Sequence, residues 1–248
     1  MTRPVADGPP TLEVGGAAAT IRLCRPAEHN RIDPDDVAVI RGYLDSAKLY
    51  PSARALVFTG AGETTFSSGY TVDAIVGRLD RDFEELLDAI ERLPLPTICA
   101  LNGSVYGGAT DLALCCDFRL GVRGSRMFMP AAKFGLHYYP GGLRRAVAAL
   151  GATQAKRIFL TAQAIDAEEM LRIGFLTELL DRRELAARVD AYVAALAECE
   201  PGVVRSMKRQ IDAIAAGDRT ESESRAPYEA SLASEELRRR LAPAGRQR

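Results

Sequence analysis

Apolar and polar positions change their period several times along the chain, and each change predicts a different element. Residues 12–14 and 18–24, on either side of Gly15-Gly16, have the apolar and β-branched content of a hairpin. After Asp33-Pro34 the spacing becomes helical: the helix runs through Val37, Ile40 and Leu44 towards Leu49, with Asp33 as N-cap and Pro34 in the first turn. Residues 55–60 and 97–101 are short, almost wholly apolar runs, the signature of strands buried on both faces. The Gly-, Ser- and Thr-rich segment 60–72 reads as a loop, and residues 72–93 as an amphipathic stretch. Gly107-Gly108 opens a predicted helix over 109–116.

Beyond it, 118–122 and 127–129 read as strands, the second broken by Pro130. Gly141-Gly142 opens a helix through Leu150, and Gly151 separates it from residues 152–162. Asp166 is placed to cap a helix whose first turn holds Glu168 and Glu169, and residues 175–180 return as a strand. From Asp181 onward the pattern is Ala- and Arg-rich and helical, with a polar interruption at 217–224 and a solvated end at Arg238-Arg239-Arg240. These patterns divide the chain into a loose N-terminal tail (1–10), an α/β core (11–197) and a helical C-terminal region (198–248).

Composition narrows the function classes. With 32 Lys and Arg against 33 Asp and Glu, no bulk field favours nucleic acid or an anionic membrane. No apolar run approaches the roughly 20 residues needed to span a bilayer, and the N-terminus lacks the apolar core of a signal peptide, so a cytoplasmic location is expected. The five cysteines show no metal-ligand spacing and read as small core residues, with no metal site. The stretch with most chemical promise is Thr97 to Asp111, an apolar strand entering a Gly-Gly turn at a helix start. There, absent Cβ atoms permit close approach, and free N–H groups can hold an oxyanion.

Several ordered landmarks together carry a family likeness: Phe66-Ser67-Ser68-Gly69-Tyr70, Ala100-Leu101-Asn102-Gly103 followed by Gly107-Gly108-Ala109, Cys116-Asp117, Phe134-Gly135, and Leu160-Thr161-Ala162 leading to Gly174-Phe175-Leu176. Through them the chain resembles the crotonase, or enoyl-CoA hydratase/isomerase, superfamily over most of residues 11–215. The resemblance implies a spiral of ββα units with a helical C-terminal oligomerisation region forming homotrimers or hexamers. It implies an acyl-CoA substrate, as in fatty acid metabolism, that carries its own coenzyme A, so no separate cofactor is expected. The thioester oxygen would lie between the backbone amides of Tyr70 and Gly108, with Gly69, Gly107 and Ala131 around the substrate and Arg25 available to a coenzyme A phosphate.

At two positions the chain departs from the family pattern. One family carboxylate falls on Asp111, an acid one methylene shorter than the usual Glu, and the other falls on Ala131, which transfers no proton. Three readings follow. The first is a lyase or isomerase of the hydratase/isomerase type that works with Asp111. The second is a decarboxylase of a malonyl-type CoA thioester that uses Tyr138 or His137, and the third is a catalytically silent CoA-binding protein.

Overall fold

A computed structural model describes residues 7–47, 52–217 and 221–241. The hairpin forms as β1 (Thr11–Gly15) and β2 (Ala18–Leu23), paired from Thr11↔Arg22 to Gly15↔Ala18. Helix α1 (Pro34–Ala47) follows, burying Val37, Ile40 and Leu44; its expected end towards Leu49 lies outside the described residues. Asp36 accepts from the Asp33 amide at 2.9 Å, so the helix start is capped from within its first turn, while the Asp33 carboxylate turns to Arg31 and Thr71.

From here the chain winds in repeated units. Strand β3 (Ala55–Gly60) is followed by β4 (Thr65–Ser67) and helices α2 (Ile75–Arg78) and α3 (Arg81–Glu91). Next come β5 (Thr97–Leu101), β6 (Ser104–Tyr106) and α4 (Gly108–Cys115). Then β7 (Phe118–Val122), β8 (Arg126–Phe128) and α5 (Pro140–Thr161) complete a third turn. In each unit the first strand joins one sheet and the second joins another. This is the spiral of ββα units that the resemblance implies.

Strand β9 (Ile165–Asp166), α6 (Ala167–Arg172) and β10 (Glu178–Leu180) close the core. The larger sheet has the order β1-β2-β3-β5-β7-β10, parallel beyond its hairpin, and the smaller has β4-β6-β8-β9. Both faces of the larger sheet are covered. Leu56, Phe58, Cys99 and Leu101 face the main core, whereas Val57, Ile98 and Ala100 face a second cluster closed by Leu185 and Val193 of α7 (Leu185–Glu198). Two-sided burial is why these strands read as unbroken apolar runs.

Several expectations need correction. Segment 60–72 is not wholly loop, because β4 lies inside it, and β6 occupies the turn before Gly107. The 72–93 stretch is not continuous: Val76 and Gly77 leave helical geometry, and Asp80 restarts the helix by accepting from the Asp82 amide at 2.9 Å. Only 178–180 of the strand expected at 175–180 pairs; Phe175 and Leu176 are buried in the approach to it. Cys199 is exposed rather than in the core, unlike the four other cysteines, all of them free. Of the N-terminal tail, residues 1–6 lie outside the described residues, while Gly8 donates to the Cys24 carbonyl (2.8 Å) and Pro10 accepts from the Tyr43 hydroxyl (3.1 Å).

The C-terminal region is helical: α8 (Pro201–Ala216), α9 (Glu221–Leu232) and α10 (Glu235–Leu241). Gly217 ends α8, and Glu221 to Ser224, expected within a polar interruption, begin a helix. Among the described residues no helix is long and apolar enough to cross a membrane. Lys208 of α8 is buried against the core, where it pairs with Asp117; Asp117 also accepts from the Thr97 amide at 2.7 Å and hydroxyl at 3.0 Å. Burial opposes the Lys208 charge, yet Asp117 outweighs it and raises the ammonium above its ordinary pKa. Replacing Lys208 with Met leaves Asp117 without its cation and is expected to lower unfolding free energy by about 3 kcal/mol, measured by urea titration. An unchanged midpoint would show that α8 does not depend on this pair.

Candidate active site

The site begins with two backbone turns brought into contact. Strand β5 runs into Asn102, whose side chain accepts from the Gly60 amide (3.0 Å) and donates to the Gly62 carbonyl (2.8 Å), tying one turn to the loop before the other. Segment 29–32 does the same from the opposite side. His29 and Asn30 take left-handed φ values of 55° and 51°, and Asn30 donates to the carbonyls of Ala61 and Thr65, both at 2.8 Å. The backbone then runs beside 67–71, with Ser68 donating to His29 and Ile32 to Gly69, each at 2.8 Å. Tyr70 is thereby fixed.

The two turns meet so closely that only glycine fits. A Cβ on Gly69, where φ is 85°, would stand 2.6 Å from the Gly108 nitrogen and 2.8 Å from the Tyr106 oxygen. Gly107 takes φ 54° and ψ −133° as the N-cap of α4, which leaves the Gly108 amide at the helix start with no intrahelical acceptor. Neither the Tyr70 nor the Gly108 amide donates to any group among the described residues. Both residues line one cavity of about 90 Å³, and two free N–H groups at the positive end of a helix are suited to a developing oxyanion.

The remaining wall is apolar and aromatic. Tyr70 and Phe83 meet edge to face at 5.2 Å, and the Tyr70 hydroxyl donates to the Arg78 carbonyl at 2.8 Å. Met129, Ala131, Leu136, His137, Tyr138 and Tyr139 complete the far side. No Asp, Glu, Lys or Arg stands on this wall among the described residues. His137 Nδ1 is 2.8 Å from the Tyr138 carbonyl, which can only accept, so the neutral ring carries its hydrogen on Nδ1 and its lone pair on Nε2.

Asp111 lies behind the wall. It is 1% exposed, and Arg145, itself 3% exposed, clamps it through Nε to Oδ1 (2.9 Å) and Nη2 to Oδ2 (2.8 Å). The Tyr139 hydroxyl donates to the same Oδ2, and the Tyr138 oxygen stands 3.1 Å from that of Tyr139. Arg145 also reaches Asp88 (2.8 Å) and Glu91 (3.0 Å) on α3. Burial works against the guanidinium, but its bonds to Asp111 and Asp88 and the Asp111 charge prevail and raise its pKa. Burial, reinforced by Asp111, pushes both tyrosines well above the ordinary phenol value, so they stay neutral.

Of the residues singled out in the sequence, Tyr70, Gly107, Gly108, Ala131, His137 and Tyr138 therefore share one cavity, with Gly69 packed directly beneath it. Arg25 stands elsewhere, its guanidinium engaged by Asp36 and, at 3.2 Å, Asp33. Tyr139, Arg145 and Phe83 belong to the site but carried no motif. A charged residue on the inward face of α5 was the available signal for Arg145, and adjacency to Tyr138 for Tyr139.

The chain is similar to known proteins in both sequence and fold. The sequence model of the family described as "Enoyl-CoA hydratase/isomerase" matches residues 13–235. Crotonyl-CoA hydratase of Syntrophomonas wolfei subsp. wolfei is 29% identical over 72% of this chain and 71% of its own. The (E)-benzylidenesuccinyl-CoA hydratase of Thauera aromatica is 28% identical over 81% of each. Among solved structures, Pseudomonas aeruginosa DspI superposes with a TM-score of 0.84 at 27% identity, covering 94% of this chain and 92% of that one.

Replacing Arg145 with Met strands Asp111 as an unpaired buried charge. The expected cost is about 3 to 5 kcal/mol of stability, read by chemical denaturation. Gly69→Ala adds strain at a left-handed position and drives a methyl into the Gly108 amide; it should cost about 1 to 3 kcal/mol and displace the two amides from one another. A Gly69→Ala protein with unchanged melting and unchanged ligand affinity would contradict the close approach of these turns.

Proposed function

The chain belongs to the enoyl-CoA hydratase/isomerase family of the crotonase superfamily, and on that premise we propose that it binds an acyl-CoA thioester and stabilises its enolate between the amides of Tyr70 and Gly108. The observation that carries this reading is the pair of free amides on one cavity wall. When a thioester becomes an enolate, negative charge gathers on oxygen, and fixed donors aimed there lower the barrier by roughly 3 kcal/mol each. Coenzyme A arrives as part of the substrate, so the reaction calls on no separate cofactor.

The acid and base groups set the reaction apart from two-carboxylate hydration. Ala131 offers no proton, and both oxygens of Asp111 are occupied by Arg145 and Tyr139. Water entering this cavity meets no free carboxylate to activate it. Hydration of a short enoyl-CoA is therefore expected to be about 10²- to 10⁴-fold below that of two-carboxylate relatives. One observation favours the decarboxylase reading: an uncharged wall carrying neutral phenols desolvates a malonyl-type carboxylate and can protonate the enolate that loss of carbon dioxide leaves.

Assembly into homotrimers or hexamers is part of the proposal. Helix α8 turns Lys208 inward but leaves Val203, Met207, Ile211 and Ile214 at 40%, 51%, 65% and 59% exposure along one face, an apolar stripe suited to another copy of the chain. Light scattering should return a mass three or six times that of the chain; a monomer at micromolar concentration would count against it.

The function is tested by incubating the protein with enoyl-CoA and malonyl-type CoA thioesters and reading products by mass. Turnover of either class separates the two reactions, while binding without turnover identifies a silent coenzyme A carrier. Gly108→Pro removes one donor and is expected to lower turnover by about 10²- to 10³-fold. A folded Gly108→Pro protein with full turnover would refute the oxyanion assignment. Ala131→Glu should raise hydration above wild type, measured as absorbance loss of the enoyl thioester.

A further inference from the structure

The chain of hydrogen bonds behind the cavity has a direction, and the direction assigns roles. Asp111 receives two guanidinium N–H groups from Arg145, so the hydrogen between its Oδ2 and Tyr139 is the one that Tyr139 brings. Tyr139 has no second hydrogen. The 3.1 Å contact between the two phenols is therefore bridged by the hydrogen of Tyr138, and the order runs Tyr138 to Tyr139 to Asp111. The rings support this order: they stack at 4.3 Å with 27° between planes, and Phe159 holds Tyr138 from the other side at 5.0 Å.

Resting on the thioester-binding reading, we propose that Asp111 is the fixed end of this chain and not a proton carrier, that Arg145 and Tyr139 are positioning residues, and that Tyr138 is the catalytic residue that gives its proton to the substrate enolate. The two phenols differ in what they can release. Tyr139 can turn its hydrogen toward the cavity only by giving up a charge-assisted bond to the buried Asp111 carboxylate, which is the costlier loss. Tyr138 can turn its own at the loss of one bond between neutral groups.

In the step itself the Tyr138 O–H bond breaks and the enolate's electron pair forms the new bond from the α-carbon to that hydrogen. The thioester carbonyl is restored, and the O–H pair remains on Tyr138 as phenolate. Tyr139 faces that phenolate, and water entering from the mouth reprotonates it. A thioester enolate is a far stronger base than a phenolate, so a weakly acidic phenol suffices as donor. The same phenol is a poor base at neutral pH. The groups facing Tyr138 are Asp111 and Cys115 from α4, Tyr139 and His137 in its own segment, and Arg145 from α5, which Asp88 and Glu91 of α3 hold in turn. Burial first, and Asp111 next, keep Tyr138 protonated well above the ordinary phenol range.

Exchange of the α-hydrogens of butyryl-CoA in D₂O, read by mass from pH 6 to pH 9, tests this directly because exchange needs the phenolate. The wild-type rate should rise about tenfold per pH unit without levelling. Tyr138→Phe should lower it about 10²-fold with butyryl-CoA affinity unchanged by calorimetry. Tyr139→Phe should lower it by less. The double variant Asp111→Asn with Arg145→Gln keeps an oxygen for the Tyr139 hydrogen and should stay within about tenfold of wild type with the same slope. A rate that levels off or inflects within this range would mark a base other than the Tyr138 phenolate and overturns the proposal. So does a folded double variant that loses as much as Tyr138→Phe. If the double variant does not fold, the wild-type slope and Tyr138→Phe decide. Absent exchange in a protein that binds butyryl-CoA overturns this proposal alone, whereas absent binding overturns the thioester reading beneath it.

Discussion

The contact of two backbone turns, one ending at Gly69 and the other at Gly107-Gly108, is the constraint on which the rest of this molecule depends. Two amides from segments nearly forty residues apart can share a target only if no side chain separates them, and the 2.6 Å that a Gly69 Cβ would leave to the Gly108 nitrogen shows how little room there is. Everything around the contact serves to hold it. Asn30 and Asn102 fasten the loops by side-chain bonds to backbone groups, and the start of α4 brings Gly107 and Gly108 to the cavity wall.

Burial redistributes chemistry among the residues next to this contact. A carboxylate at the first turn of α4 would be a natural base if it faced the cavity. Here it is 1% exposed and locked to an Arg that is itself shared with two further carboxylates. Such an ion pair is retained at a desolvation cost, and removing one partner is far more damaging than removing both. The visible consequence is positional: Asp111 holds the Tyr139 hydroxyl, which meets that of Tyr138, and the cavity wall carries tyrosines rather than a carboxylate.

The C-terminal helices answer a different requirement. Helix α8 is joined to the core by Lys208 and Asp117, which links the Cys116-Asp117 landmark to support rather than chemistry. Its outer stripe of Val203, Met207, Ile211 and Ile214 is exposed among the described residues. The helix thus has one face committed to its own chain and one that carries exposed apolar residues.

The sequence by itself determined the elements whose signal is local. Buried strands β3 and β5 were legible because two-sided burial removes polar residues from the run, and α5 was legible with its break because Gly151 at φ 76° ends one helical segment and starts another. The amides of Tyr70 and Gly108 were singled out through the family resemblance, which joined the Gly69 loop to the Gly107-Gly108 turn. Strands β4, β6 and β9 were not, because two or three residues carry no period and their pairing is made entirely with distant partners. The same reason hid the acid-base arrangement. Asp111, Tyr139 and Arg145 are 28 and 34 residues apart in pairs that only the packing of α4 against α5 brings together. Whether a carboxylate faces substrate or an arginine is a property of that packing, and no reading of residue types along the chain contains it.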